Sequence, residues 1–77
     1  MDLQEFIGKF AEQFDETDAN EFKTDTEFKK LVDWSSMTAL SIIAMVDDEY
    51  GITIKGDDIR NSGTIENLFS IIKEYKS

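Results

Sequence analysis

The spacing of apolar residues at the start of the chain predicts a first helix. Apolar side chains recur there with the three-to-four-residue period of one helix face: Leu3, Phe6, Ile7, Phe10 and Phe14. Asp2 and Glu5 have the spacing of a capping box, in which two side chains bind free N–H groups of the first turn. We therefore predict a helix from about Leu3 to about Phe14.

A second helix is predicted to begin at a pair of serines. Serine is a preferred N-cap because its hydroxyl accepts a hydrogen bond from a first-turn N–H, and Ser35 is the candidate cap. Ser36 then lies on the first turn with a free hydroxyl, near the positive end of the helix dipole, where a phosphate is favoured. Gly51 stands where a C-cap glycine belongs. The predicted buried stripe of this helix is Met37, Leu40, Ile43, Ala44 and Val46.

Between these two helices the apolar pattern loosens into a long polar and acidic segment, residues 15–33. A loop of this length in a small domain needs packing by its own side chains. The candidate anchors are Phe22, Phe28, Leu31 and Val32. A short helical turn is predicted over residues 26–31.

The last third of the chain predicts an extended connector, a short helix and a final long helix. Ile52 and Ile54 face the core from the connector, and residues 56–61 form the short helix. Thr64 caps the final helix, which runs to about Tyr75. Its predicted stripe is Ile65, Leu68, Phe69 and Ile72. The predicted fold is thus all-α: one domain, residues 1–77, with three longer helices, one short helix and a long loop between the first two.

The net charge indicates the kind of partner, and the apolar pattern and the first residues indicate the location. Seventeen acids against eight bases give a net charge of −9, which argues against nucleic acid and favours basic partners. No apolar run has the length of a membrane span, and the first residues lack the basic start of a signal peptide. We therefore expect a cytoplasmic protein.

The chain contains neither histidine nor cysteine. This removes the Ser-His-Asp and Cys-His nucleophile arrangements and the usual zinc ligands. The acids Asp15, Glu16, Asp18 and Glu21 lack the spacing of a calcium loop, so we predict no metal site. A chain this small also has little room for a closed pocket. We predict a substrate or carrier for enzymes rather than an enzyme.

From Ser35 to Ile54 the chain resembles the acyl carrier protein family. The family signature is Asp-Ser-Leu, followed by a helix that ends in acids, an aromatic residue, glycine and an aliphatic-x-aliphatic run. Placing residues 50–54 on that ending puts Ser36 on the family's serine and Met37 on its leucine, without a gap. Ser35 takes the place of the family's Asp, and the two residue types are near-equivalent N-caps.

The resemblance implies that Ser36 carries 4′-phosphopantetheine, attached from coenzyme A by a phosphopantetheinyl transferase; Ser35 is the less favoured attachment site. The thiol of the arm would hold acyl groups as thioesters for acyltransferase- or ketosynthase-type enzymes with basic surfaces, in fatty acid or related lipid or polyketide synthesis. Family members are recognised through acids on the serine-bearing helix. Here the predicted partner-binding residues are Met37, Asp47, Asp48 and Glu49, on a monomer.

Three questions stay open at the level of sequence. The chain could instead carry aminoacyl or peptidyl groups, or it could be a non-covalent acidic adaptor in which the serines are only a cap. Trp34 either packs on the bundle and fixes the turn or is an exposed ring that partners or the arm contact. An acyl chain is expected to shelter between helices, in a space faced by Leu40, Ala44, Ile59, Ile65, Leu68 and Phe69.

Overall fold

The computed structural model describes residues 2–76, and within them the chain is all helical without a strand. The elements are α1 (Leu3–Ala11), 3₁₀ turns at Ala19–Glu21 and Phe28–Lys30, α2 (Ser36–Tyr50), α3 (Gly56–Arg60) and α4 (Ile65–Lys76). This confirms the predicted fold class of three longer helices, one short helix and a long loop between the first two. None of the helices in residues 2–76 combines the length and the apolar character needed to span a membrane.

Helix α1 begins where the sequence predicts and ends three residues early. The Asp2 carboxylate accepts a hydrogen bond of 3.1 Å from the N–H of Gln4, which caps the helix. The helix ends at Ala11 because the N–H groups of Gln13 and Phe14 bond to carbonyl groups three residues back, which tightens the chain into turns. Phe14 nevertheless remains buried.

The long loop, residues 12–35, is held by its own aromatic rings. The ring of Phe14 lies 4.9 Å from that of Phe22, and the ring of Phe28 lies 5.2 Å from that of Trp34. Phe14 and Phe28 both pack on Phe10 of α1, with ring centroids 5.4 and 5.1 Å away. The loop is therefore an ordered layer over α1. Trp34 packs against the bundle, as the structural interpretation of this residue predicts.

The loop is also fixed to the carboxy-terminal half of the chain. The first N–H groups of α4 donate to loop carbonyls, from Ile65 to Thr26 (3.2 Å) and from Glu66 to Thr24 (3.0 Å). Lys29 Nζ donates to the carbonyl of Arg60 at 2.8 Å. Free N–H groups at a helix start need such acceptors. These bonds therefore satisfy the first N–H groups of α4 and at the same time hold the loop in position. Val32, expected as a core anchor, is instead 84% exposed.

The connector and the last two helices follow the sequence prediction. Gly51 has φ +67°, the left-handed conformation of a C-cap glycine, and Ile52 and Ile54 behind it are buried. In α3, the Asp58 carboxylate accepts the Lys55 N–H at 2.9 Å. Thr64 Oγ1 caps α4, and the predicted stripe is buried: Ile65, Leu68, Phe69 and Ile72.

The predicted buried stripe of α2 is largely wrong. Met37 and Leu40 are 76% and 65% exposed, and Ala44 is exposed as well. The residues that α2 buries are Thr38, Ile42, Met45 and Val46. Both sets recur at helical spacing, because α2 carries apolar residues around most of its circumference. The packing of the other helices, and not the period of α2, selects the buried face.

The orientation of α2 also shows that the prediction of the residues around a sheltered acyl chain is partly wrong. Leu40 and Ala44 point away from the space between the helices. Of the residues expected to face it, those outside α2 are buried in the core: Ile59, Ile65, Leu68 and Phe69.

Candidate functional site

Ser36 is exposed and is the first residue of α2. Its hydroxyl forms no hydrogen bond to any group in residues 2–76. Ser35 precedes it in an extended conformation, with φ −157° and ψ 173°, as an N-cap residue does. The structure therefore places the two serines in the roles that the sequence predicts, with Ser35 as the cap and Ser36 exposed on the first turn.

The Ser35 hydroxyl is used both as an acceptor and as a donor. Its oxygen accepts the Thr38 N–H at 3.3 Å. The Thr38 hydroxyl donates to the carbonyl oxygen of Asp33 at 3.0 Å, so its single proton is already used. The proton in the 3.2 Å contact between Ser35 Oγ and Thr38 Oγ1 must then come from Ser35. Of the two serines, Ser36 alone presents an uncommitted hydroxyl.

Asp33 fixes the start of α2 to the start of the long loop. Its carboxylate accepts hydrogen bonds from the N–H of Glu16 (2.9 Å), the N–H of Thr17 (3.2 Å) and the Thr17 hydroxyl (2.6 Å). The Thr17 hydroxyl is the main cause of a lowered pKa for Asp33. We missed this positioning residue because its partners lie 16 and 17 residues away, and no local pattern connects them.

Asp33→Asn should lower the melting temperature at neutral pH, and the loss should shrink in acid. The pKa of Asp33 is lower in the folded than in the unfolded chain, so its hydrogen bonds contribute stability above the unfolded value. That contribution is lost as pH falls through the lowered folded pKa, where wild-type Asp33 is itself protonated. Thermal melts from about pH 7 to about pH 2 measure the difference.

Asp25→Asn is the matched control, because Asp25 is exposed and the charge change is the same. If the melting temperatures of wild type and Asp33→Asn differed by the same amount at every pH, the charge of the Asp33 carboxylate would contribute nothing to stability.

The predicted partner-binding acids lie at the far end of α2, about 17–20 Å from its first residue at roughly 1.5 Å per residue. They are not equivalent. Glu49 forms an ion pair with Lys9 of α1 at 3.0 Å, and Asp47 accepts a 3.4 Å hydrogen bond from the Thr53 hydroxyl. Asp48 is exposed and has no side-chain partner within residues 2–76. Asp48 is thus the acid most available to a partner.

Lys9 connects α1 to the end of α2. Its ammonium group lies 3.0 Å from Glu49 and 3.0 Å from Glu5, and 5.3 Å from the centroid of the Tyr50 ring. Hydrogen bonds to the two carboxylates raise the pKa of Lys9. Glu5 therefore pairs with Lys9, whereas the sequence predicts it as half of a capping box. This contact makes Glu49 part of the scaffold.

An exposed apolar strip runs along α2 from Ser36 towards Asp48. It consists of Met37, Leu40 and Ala44, which we call the outer strip. At about 100° per residue, these positions share the solvent-facing side of the helix. Met37 lies next to Ser36, where the sequence predicts a partner contact. Leu40 was missed because the helical period assigned it to the core.

The surroundings of Ser36 show which groups could act on its hydroxyl. A serine hydroxyl needs an adjacent base or metal to become a nucleophile. No base is hydrogen-bonded to Ser36 in residues 2–76, and no group of three His, Cys, Asp or Glu there could hold a metal. In comparisons with known proteins, no family model, no curated protein and no solved structure matches this chain.

Proposed function

We propose that this chain is an acyl carrier protein, which holds acyl groups as thioesters on a 4′-phosphopantetheine arm attached to Ser36. The observation that carries the proposal is the exposed, uncommitted hydroxyl of Ser36 at the start of a fifteen-residue helix, beside a Ser35 hydroxyl that both donates and accepts a hydrogen bond. The resemblance of residues 35–54 to the family signature supports the same assignment.

The start of α2 suits the phosphodiester that would join the arm to Ser36. The N–H groups of Ser36 and Met37 have no intrahelical acceptor, and the helix dipole places partial positive charge beside them. No acid lies in the first turn of α2, although the chain as a whole is acidic. A negatively charged phosphate is therefore favoured at this end of the helix. The arm would supply the reactive thiol, and the chain would supply position and recognition.

The proposed partners are a phosphopantetheinyl transferase and the acyltransferase- or ketosynthase-type enzymes of fatty acid or related lipid synthesis. The surface that supports this proposal combines the outer strip near Ser36 with Asp48 further along α2. An apolar centre with a charged end is typical of protein interfaces, in which apolar contacts slow dissociation and charge speeds association. We propose that the chain presents this surface as a monomer.

Asp48→Lys should slow modification by the transferase at low salt, and its rate should depend less on ionic strength than that of wild type. The reason is that Asp48 is an unpaired acid, which attracts a basic partner before contact. Met37→Ala should act chiefly on dissociation, because it removes apolar contact area. Initial rates at two ionic strengths and a binding assay separate the two effects.

Glu49→Gln tests whether the acids differ. It removes the charge that pairs with Lys9, so it should lower the melting temperature and leave association almost unchanged. Asp48→Asn is the matched variant, because it changes the charge by the same one unit. Equal kinetic effects of Asp48→Asn and Glu49→Gln would contradict the assignment of Glu49 to the scaffold.

The proposed function is tested by intact-mass spectrometry after incubation with coenzyme A and a broad-specificity phosphopantetheinyl transferase. A carrier gains the mass of one phosphopantetheinyl group. A chain that gains none, although a known carrier in the same tube is modified, would instead be a non-covalent adaptor in which Ser35 and Ser36 only begin a helix.

A further inference from the structure

Exposure does not distinguish the two serines at the start of α2. Ser35 and Ser36 are adjacent, both are exposed, and both carry the same hydroxyl group. What differs between them is the hydrogen bonding of that hydroxyl. Both contacts that the structure describes for Ser35 Oγ are made with one residue, Thr38. The difference between the two serines therefore depends on Thr38.

Thr38 is a buried residue that joins the first turn of α2 to the segment before it. Its side chain is 9% exposed, and its hydroxyl donates to the carbonyl oxygen of Asp33 at 3.0 Å, which fixes its orientation. Thr38 Oγ1 is then left as an acceptor 3.2 Å from Ser35 Oγ, and the Thr38 N–H donates to Ser35 Oγ at 3.3 Å. Thr38 thus engages both the proton and a lone pair of the Ser35 hydroxyl.

Transfer of the arm needs the proton and a lone pair of one serine. The hydroxyl oxygen forms a bond to the phosphorus of the phosphopantetheinyl group, and the bond from that phosphorus to the bridging oxygen of coenzyme A breaks. The nucleotide part leaves with that oxygen, and the serine proton passes to a base of the transferase. Such a base has to lie within hydrogen-bond reach of the proton that it takes. The Ser35 proton is directed at Thr38, whereas the Ser36 hydroxyl has no hydrogen bond within residues 2–76.

We propose that Thr38 directs the arm to Ser36 by engaging the hydroxyl of Ser35. The inference rests on the proposed function, because it requires that one of the two serines is modified. Thr38 acts through Ser35 and does not contact the transferred group, so it is a positioning residue. Its effect is on which of two neighbouring hydroxyls reacts.

The test is the position of the arm in Thr38→Val, read by peptide mapping after reaction with coenzyme A and a broad-specificity phosphopantetheinyl transferase. Valine has nearly the shape of threonine and keeps the N–H that Ser35 caps, but it lacks the oxygen that accepts the Ser35 proton. We expect the wild-type chain to carry the arm on Ser36, and the arm of Thr38→Val to be divided between Ser36 and Ser35. A merely structural role of Thr38 would lower the melting temperature without creating a second attachment site.

The same comparison is sharper on a chain in which Ser35 is the only serine of the pair. Ser36→Ala should gain no arm, whereas Ser36→Ala, Thr38→Val should gain one on Ser35. Ser36→Ala, Thr38→Ser restores a hydroxyl at the same position and should again gain none. The matched control is Ser36→Ala, Thr53→Val, which makes the same substitution at an exposed position beyond the end of α2 and should gain none.

A measurement on the wild-type chain tests the inference without any variant of Thr38. If Thr38 holds the Ser35 hydroxyl, the scalar couplings between the Hα and Hβ protons of Ser35 should show one fixed rotamer. Those of Ser36 should show averaging, because its hydroxyl is exposed and has no partner within residues 2–76. Averaged couplings at Ser35 would overturn the inference even if Thr38→Val failed to fold, which its melting curve would reveal.

Two further results would overturn the inference while the proposed function stands. One is a folded Thr38→Val that carries the arm on Ser36 alone, with Ser36→Ala, Thr38→Val unmodified. The other is an arm on Ser35 in Ser36→Ala, Thr38→Ser, because the hydroxyl of residue 38 would then not protect Ser35. If the wild-type chain gains no arm, its mass spectrum shows that the proposed function itself has failed.

Discussion

We expect Ser36→Ala to abolish the gain of one phosphopantetheinyl mass, and Ser35→Ala to retain it. The Ser36 hydroxyl is exposed and uncommitted, whereas the Ser35 hydroxyl accepts from the Thr38 N–H and donates to the Thr38 hydroxyl. Removal of the Ser35 hydroxyl should therefore cost helix stability, about 0.5–2 kcal/mol in the free energy of unfolding. Intact mass and thermal melts on the two variants measure both effects.

Ser35→Asp provides a control that separates capping from modification. Aspartate caps a helix about as well as serine, so this variant should recover the stability lost in Ser35→Ala and should still be modified. Peptide mapping then locates the arm. An arm found on Ser35 in the wild-type chain, or a full mass gain in Ser36→Ala, would overturn the assignment of Ser36.

The second large effect is expected from Phe10→Ala. Phe10 has no exposed surface, and its ring contacts those of Phe6, Phe14, Phe22 and Phe28. Truncation of a buried phenylalanine to alanine costs about 3–5 kcal/mol, because apolar contact is lost and a cavity remains. Small domains have total stabilities of only about 5–15 kcal/mol, so this variant should be largely or wholly unfolded near body temperature.

Chemical denaturation followed by circular dichroism and by Trp34 fluorescence gives the stability change. Phe10→Leu is the matched control, since it keeps most of the apolar volume and should cost much less. If Phe10→Ala stayed within about 1 kcal/mol of wild type, the aromatic contacts of the loop would contribute far less than their burial implies.

The sequence allowed the starts of α1, α2 and α4 and the end of α2 to be predicted, because capping is local chemistry, whereas the end of α1 was placed three residues too late. Asp2, Ser35 and Thr64 each accept a hydrogen bond from an N–H within three residues, and Gly51 adopts the left-handed conformation that ends α2. The buried stripe of α4 was also predictable, because its apolar residues occupy one face only.

The candidate site was predictable in part. The sequence correctly predicted Ser35 as the N-cap and Ser36 as an exposed residue of the first turn. For Met37 it gave two conflicting predictions: a partner-binding residue on the surface, and a member of the buried stripe. Apolar residues surround most of α2, so its period does not select a buried face. Asp33 was missed because its bonds to the loop connect positions far apart in the chain.

The attachment of the long loop to α4 has a consequence for the order of folding. Helices α1 and α4 are built from local contacts, whereas the bond between Lys29 and Arg60 joins residues 31 positions apart. Closing a longer loop costs more entropy, and contacts between distant positions slow folding. We therefore expect the loop to dock after the helices have formed and to open before them, which would appear as earlier hydrogen exchange at its amides. The hydrogen bonds from Glu16 and Thr17 to Asp33, which join the loop to the start of α2, would then be among the last contacts of the molecule to form.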